Sequence, residues 1–208
     1  MKLILLRHGE TDVNAAGRLQ GSTDSTLTEL GRRQARDLGV ASLAWKPVAV
    51  YTSPLSRARD VANQIGSKTG VPVTIEPRII EMEMGALEGV TIQQMRDGWP
   101  DLYQGWRRDA SSVTMPDGEC LGDVQVRAMA AIDDFDQRHG VDETVIAVTH
   151  NFTIRCIVAA VLDLPLANIN HMDLSLGSRT TITTGQRGRR LNAYNAVDHL
   201  APANRVGY

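Results

Sequence analysis

The stretch Leu3-Ile4-Leu5-Leu6-Arg7-His8-Gly9-Glu10-Thr11 decides how this chain reads. Its first four residues form an apolar run that reads as a short buried strand. Arg7 and His8 then stand where that strand should end. In open parallel sheets, ligands bind just beyond the carboxyl ends of the strands. A histidine beside an arginine at that point sets a nucleophile next to an anion clamp, which suits chemistry on a phosphate.

Working outward, apolar runs alternate with helical patterns. Thr28 can cap a helix that carries Leu27, Gly31, Ala35 and Leu38 on one side, with Glu29 in its first turn. Residues 48–52 read as the next strand. Ser53 as N-cap and Pro54 as first helical residue are expected to start the following helix. Ala58, Val61, Ala62 and Ile65 give that helix an apolar stripe. Residues 71–75 form a further strand candidate. The stretch 76–115 is less regular, with Trp99, Tyr103 and Trp106 among prolines and glycines, and reads as a cap over one end.

Leu121, Val124, Ala128, Ile132 and Phe135 mark a long amphipathic helix stopping near Gly140. Residues 144–149 are a strand. Ile154, Ile157, Val158, Val161 and Leu162 mark the helix after it, which stops before Pro165. Residues 180–184 and 191–196 read as late strands, and the chain is expected to fray from Ala201. The pattern predicts an α/β three-layer sandwich: a mostly parallel central sheet flanked by helices, with a small cap insertion at about 76–115. One domain over 1–208 accommodates it.

Composition narrows the function classes. The 208 residues are 42% apolar and 22% charged, with a net charge of -2. Basic runs are short, so no nucleic acid is expected as partner. Cys120 and Cys156 have neither zinc spacing nor a CxxC arrangement, and read as thiols of a reducing compartment. The N-terminal apolar run is too short for a signal-peptide core and no stretch approaches membrane-span length, so the expected location is cytoplasmic, with no membrane partner.

One design recurs at three strand ends. The first strand delivers Arg7 and His8, the second Ser53 and Arg57, and strand 144–149 delivers His150 and Asn151 at the start of a helix. Helix starts attract anions. Taken singly, each residue has an ordinary explanation: a solvated Arg57, a hydrogen-bonded strand-end His150, a Glu81 facing water. Together, two arginines, two histidines and two helix starts can converge on one dianion.

At this point the chain resembles the histidine phosphatase superfamily, which includes the cofactor-dependent phosphoglycerate mutases. Arg7-His8-Gly9-Glu10-Thr11 with Asn14 is similar to its defining motif. Gln20-Gly21 with Asp24, then Leu27-Thr28-Glu29-Leu30-Gly31 and Gln34-Ala35, match the next block. Ser53-Pro54-Leu55-Ser56-Arg57-Ala58 matches the second arginine block. Glu81 with Gly85-Ala86-Leu87-Glu88-Gly89 matches the acid block, Gly118-Glu119-Cys120 resembles a Gly-Glu-Ser block, and Val148-Thr149-His150 the second histidine block. Two positions depart from the pattern. Asn151 stands where a small residue is usual, and Cys120 replaces the serine.

The resemblance implies that His8 is a nucleophile phosphorylated during turnover, that Arg7, Arg57 and His150 stabilise the phosphoryl group, and that Glu81 is the proton donor. It implies substrate or phosphate contacts from Asn14, Gln20 and Gly21, while the departure at Asn151 either adds an amide donor to the phosphate site or narrows it. No cofactor and no metal are expected. His8, His150 and Glu81 would make a two-histidine, one-carboxylate set, but two arginines aimed at the same place repel a cation, and there is no Walker-type loop. Only Val90 to Asp117 separates the acid block from the Gly-Glu block. The mutases carry a long insertion there, so the resemblance implies a hydrolase of the phosphatase branch. The partner is a small phosphorylated metabolite, such as a phosphorylated sugar, glycerate, serine or nucleoside, and a homodimer is left open. The alternatives are a cofactor-dependent phosphoglycerate mutase and an inactive scaffold that binds phosphorylated ligands. Such a scaffold should have lost a histidine or the acid, and this chain keeps both.

Overall fold

The N-terminal apolar run becomes β1 (Lys2–Arg7), the strand around which the sheet is built. The structure is a computed structural model and describes residues 1–206. Thr11 and Asn14 cap each other at the short helix α1 (Asp12–Ala15). Then come α2 (Glu29–Trp45), β2 (Ala49–Thr52), α3 (Ser56–Thr69) and β3 (Val73–Ile75). Two short helices, α4 (Ile92–Gly98) and α5 (Pro100–Arg108), lie in the cap stretch. α6 (Leu121–Arg138), β4 (Thr144–Thr149), α7 (Asn151–Val161), β5 (Arg179–Gly185) and β6 (Gly188–Ala196) follow.

The sheet order is β3-β2-β4-β1-β5-β6. β1, β2, β3 and β4 run parallel, β5 runs antiparallel to β1, and β6 turns back along β5. Register decides what the strand ends present. Arg7 pairs with Thr149 across β1 and β4, and Thr52 pairs with Val148 across β2 and β4. His8, Ser53 and His150 therefore leave the sheet at one level, on its carboxyl edge.

Side chains of β1 and β4 alternate between the two faces, as strand geometry requires. Leu3, Leu5, Val145 and Ala147 pack with Phe135 and Ile157 of α6 and α7. Ile4, Leu6, Ile146 and Val148 pack with Leu38 and Ile65 of α2 and α3. All eight strand side chains are fully buried, which is why these strands read as unbroken apolar runs. The expected three-layer sandwich with a mostly parallel sheet is present. No helix among the described residues is long and apolar enough to cross a membrane.

Three expectations are corrected. The helix after β2 does not begin at Ser53-Pro54: α3 starts at Ser56 with Leu55 at the cap position, whose side chain cannot cap. Asp24 does that work from elsewhere in the chain, its Oδ1 accepting from the Ser56 amide at 2.9 Å and the Ser56 hydroxyl at 2.8 Å. The cap stretch is more ordered than its glycines and prolines suggest. Thr91 and Gln94 form a capping box for α4, and Pro100 opens α5. The chain from Ala201, as far as it is described, is docked through Asn204, and residues 207–208 lie outside the described residues. The Gln34 amide donates to the Asn204 carbonyl at 2.9 Å, and Asn204 Nδ2 donates to Asp37 at 2.7 Å. Gln34 is fully buried and needs that partner.

Candidate active site

His8 sits immediately after β1 and is almost fully buried. Its Nδ1 lies 2.8 Å from the Gly9 carbonyl oxygen. A carbonyl only accepts, so Nδ1 carries the proton and Nε2 keeps the lone pair. Gly9 can hold its carbonyl there because its backbone presses against α2: a Cβ on Gly9 would lie 2.6 Å from the Gly31 carbonyl oxygen. Burial, followed by the charges of Arg57 and Arg7, keeps the His8 ring well below the usual histidine pKa. The imidazole is therefore neutral near pH 7.

His150 occupies the N-cap position of α7 without a capping side-chain hydrogen bond, and its ring centroid is 5.1 Å from that of His8. Its Nε2 lies 2.6 Å from Ser53 Oγ. One lone pair of that hydroxyl already accepts from the Leu55 amide. The hydroxyl hydrogen is then free to point at Nε2, which puts the proton of the neutral ring on Nδ1. That Nδ1 is buried and has no partner. Burial and then the charges of Arg57, His8 and Arg7 hold the His150 pKa down as well.

Arg57 is fully buried in the first turn of α3. Its Nη1 and Nη2 donate to the carbonyls of Thr23 (3.0 Å) and Gly21 (2.6 Å). Its Nε is buried with no acceptor among the described residues, and burial pushes its pKa down to about 10. Arg7 donates from Nη1 to the Leu174 carbonyl. Buried donors are almost always satisfied in folded proteins. Among the described residues, the open donors on Arg57 and His150 both belong to groups whose fields converge on His8, so they point to an anion that completes the site.

Glu81 lies across from these cations, almost fully buried. Its Oε1 accepts from the Met82 amide at 3.0 Å and from the Phe152 and Thr153 amides at 3.1 and 3.3 Å, while Oε2 shares the Phe152 amide at 3.2 Å. The carboxylate thus sits on the N-terminus of α7, where the helix dipole favours negative charge. The segment that carries it is irregular, so other elements hold its carbonyls. Arg127 on α6 donates to the carbonyls of Arg78, Ile80 and Glu81 and pairs through Nε and Nη2 with both oxygens of Glu119. That uses all five guanidinium hydrogens. Glu83, two residues on, is exposed.

A cavity of about 440 Å³ opens over His8, walled by Arg7, Asn14, Gln20, Glu81, Asn151 and Arg155 among others. Asn14 accepts the Thr11 hydroxyl on Oδ1 at 2.9 Å, leaving Nδ2 for the cavity. The Gln20 amide is engaged on both sides, with Thr11 and Ser25. Gly21 is not in the cavity wall. It acts through its carbonyl on Arg57, and a Cβ there would lie 2.3 Å from Glu88 Oε1. Trp99, Tyr103 and Trp106 are also outside the wall and pack into the apolar cluster beneath the cap. Two residues take parts that the sequence pattern does not announce. Ser53, expected at the strand end as a helix cap, contacts His150 instead, and Arg155 lies one helical turn past Asn151, on the same face of α7.

The buried neutral histidines have a consequence for stability. Both have folded-state pKa values well below the ordinary histidine value of about 6.5, so between the two the unfolded chain binds more protons. Stability is then lost as pH falls through about 6.5. Melting temperature should fall between about pH 7.5 and 5.5, and His8→Asn should flatten the slope. An unchanged slope in the variant would contradict burial of a neutral His8.

The family model for the histidine phosphatase superfamily (branch 1) matches residues 3–197. Phosphoserine phosphatase 1 of Hydrogenobacter thermophilus is 29% identical over 200 residues, covering 96% of this chain and 94% of that protein. Glucosyl-3-phosphoglycerate phosphatase of Mycobacterium tuberculosis is 34% identical over 174 residues, covering 80% of this chain and 78% of that protein. The solved structure of Bacillus stearothermophilus YhfR superposes with a TM-score of 0.90 at 32% identity, covering 96% of this chain and 99% of that one. With the match running through the sheet from β1 to β6, the chain belongs to the histidine phosphatase superfamily.

Proposed function

We propose that the chain hydrolyses a small phosphomonoester in two displacements, with a phosphohistidine on Nε2 of His8 between them. The observation that carries this reading is the His8 Nδ1 contact with the Gly9 carbonyl at 2.8 Å, which leaves a neutral imidazole with its lone pair on Nε2. In the first displacement that lone pair forms the N–P bond while the ester P–O bond breaks. The leaving oxygen takes its electron pair and a proton from Glu81. In the second, a water oxygen attacks phosphorus and gives its proton to Glu81. The P–N bond breaks, its electrons return to Nε2, and inorganic phosphate leaves.

Phosphoryl transfer depends chiefly on positioning and charge stabilisation. Arg7, the open Nε of Arg57 and the Nδ1 of His150 are the donors for the transferring oxygens, and the Nδ2 of Asn14 joins them from α1. Asn151 at the start of α7 lies on the same wall. Glu81 suits the proton relay because Oε1 is tied to backbone amides, whereas Oε2 has capacity left for a proton.

Water reaches the phosphohistidine because the cap is short. A mutase must exclude water while its intermediate reorients. Here α4 and α5 fold onto their own apolar cluster and leave the cavity open. With 3-phosphoglycerate and 2,3-bisphosphoglycerate present, little 2-phosphoglycerate should form. A panel of monoesters should release phosphate in EDTA without added metal. Rapid isomerisation with negligible phosphate release would favour the mutase.

The role of the acid has its own signature. Glu81→Gln should cut hydrolysis of alkyl phosphates by about 10²-fold or more, and that of activated aryl phosphates far less, since a good leaving group hardly needs the proton. Equal losses on both classes would remove Glu81 from that role.

A further inference from the structure

Arg155 is a cation for which the two displacements have no use. It lies on α7 one turn beyond Asn151, in the cavity wall, and is only 8% exposed. One Nη2 hydrogen goes to the Ile169 carbonyl, and the guanidinium stands 5.4 Å from the Phe152 ring centroid. Its Nε is buried and has no hydrogen-bond partner among the described residues. Among the described residues no carboxylate lies within ion-pair distance of it. A buried guanidinium that faces a cavity without a counterion is costly unless a ligand supplies the negative charge.

We infer that Arg155 receives a carboxylate on the alcohol portion of the substrate, so that the preferred substrate is a phosphomonoester bearing a carboxylate. This rests on the phosphatase reading above. The phosphoryl group already has Arg7, Arg57 and His150 around His8, whereas Arg155 enters the cavity from α7, next to the helix start that holds Glu81 and so on the leaving-group side. One guanidinium matches one carboxylate in charge and in planar geometry. Met172, Leu174 and Leu176 line the same cavity and supply apolar contact for a short carbon skeleton between the two anions.

The test compares two esters of nearly equal shape: 3-phosphoglycerate and glycerol 3-phosphate, which replaces the carboxylate by a hydroxymethyl group. Wild-type kcat/KM should favour the carboxylate by about tenfold or more, as expected where a site must otherwise leave a buried charge unpaired. In Arg155→Gln the ratio should collapse to within about threefold of unity, mostly through KM for 3-phosphoglycerate. Arg155→Lys, which keeps the charge, should retain part of the preference. A wild-type ratio near one would overturn the inference without any variant. So would an Arg155→Gln loss shared equally by both esters, which would place Arg155 on the phosphoryl group or in the fold. Absence of hydrolysis of both esters and of p-nitrophenyl phosphate by the wild type would instead sink the phosphatase reading, and this inference with it.

Discussion

His8→Ala lowers kcat/KM by about 10³-fold or more on every phosphomonoester the wild type hydrolyses, by analogy with deletion of other enzymatic nucleophiles. The effect is expected to be uniform across leaving groups, because the lost step is the attack itself. Nothing nearby can substitute. His150 is engaged through Nε2 with Ser53 at 2.6 Å and offers a donor where an attacking lone pair is needed. Full activity in the alanine variant, or a loss confined to poor leaving groups, would remove His8 from the nucleophile's role.

Arg57→Ala is expected to cost about 10²–10³-fold in kcat, the size seen when one preorganised charge-stabilising donor is lost. Its guanidinium is held by the Thr23 and Gly21 carbonyls with Nε left open, so it needs no reorganisation when charge shifts on the phosphoryl oxygens. Arg59, two residues on, is exposed on another face of α3. Arg59→Ala should leave kcat within about twofold, since surface changes away from a site usually matter little. Equal losses at both positions would contradict the placement of Arg57.

The contrast between Arg57 and Arg59 shows what was legible in the sequence. The strand runs and the helical period of Ala58, Val61 and Ile65 set the phase of α3, and that phase turns Arg57 inward. Arg7 could be placed because it ends an unmistakable strand, His8 and His150 because each directly follows one, and adjacent strands in register end together. The start of α3 departs from the sequence pattern because Ser53-Pro54 carries a strong local capping signal, while the group that caps the helix, Asp24, belongs to a distant loop. Ser53 was thereby free to orient His150, a contact 97 residues apart in sequence. Arg155 was hidden for a related reason. It lies in a helix whose other buried residues, Thr153 apart, are apolar, and only the i, i+4 relation to Asn151 marks it. The cap helices were readable in part: Thr91 with Gln94 is a capping box, and Pro100 suits a first turn, yet the intervening Gly98-Trp99 junction masks both. The docking of the tail follows from the need of the buried Gln34 for a partner, which no local pattern announces.

The central claim is that phosphate passes through Nε2 of His8, and a rapid-quench experiment with ³²P-labelled substrate tests it most directly. The account predicts a phosphoryl-protein that is acid-labile and alkali-stable and maps to the peptide containing His8. It should form at least as fast as turnover, decay with release of inorganic phosphate, and be absent from His8→Ala. A wild-type enzyme that turns over with no trapped phosphoryl group under single-turnover conditions fast enough to resolve it, or with the label on another residue, would contradict it.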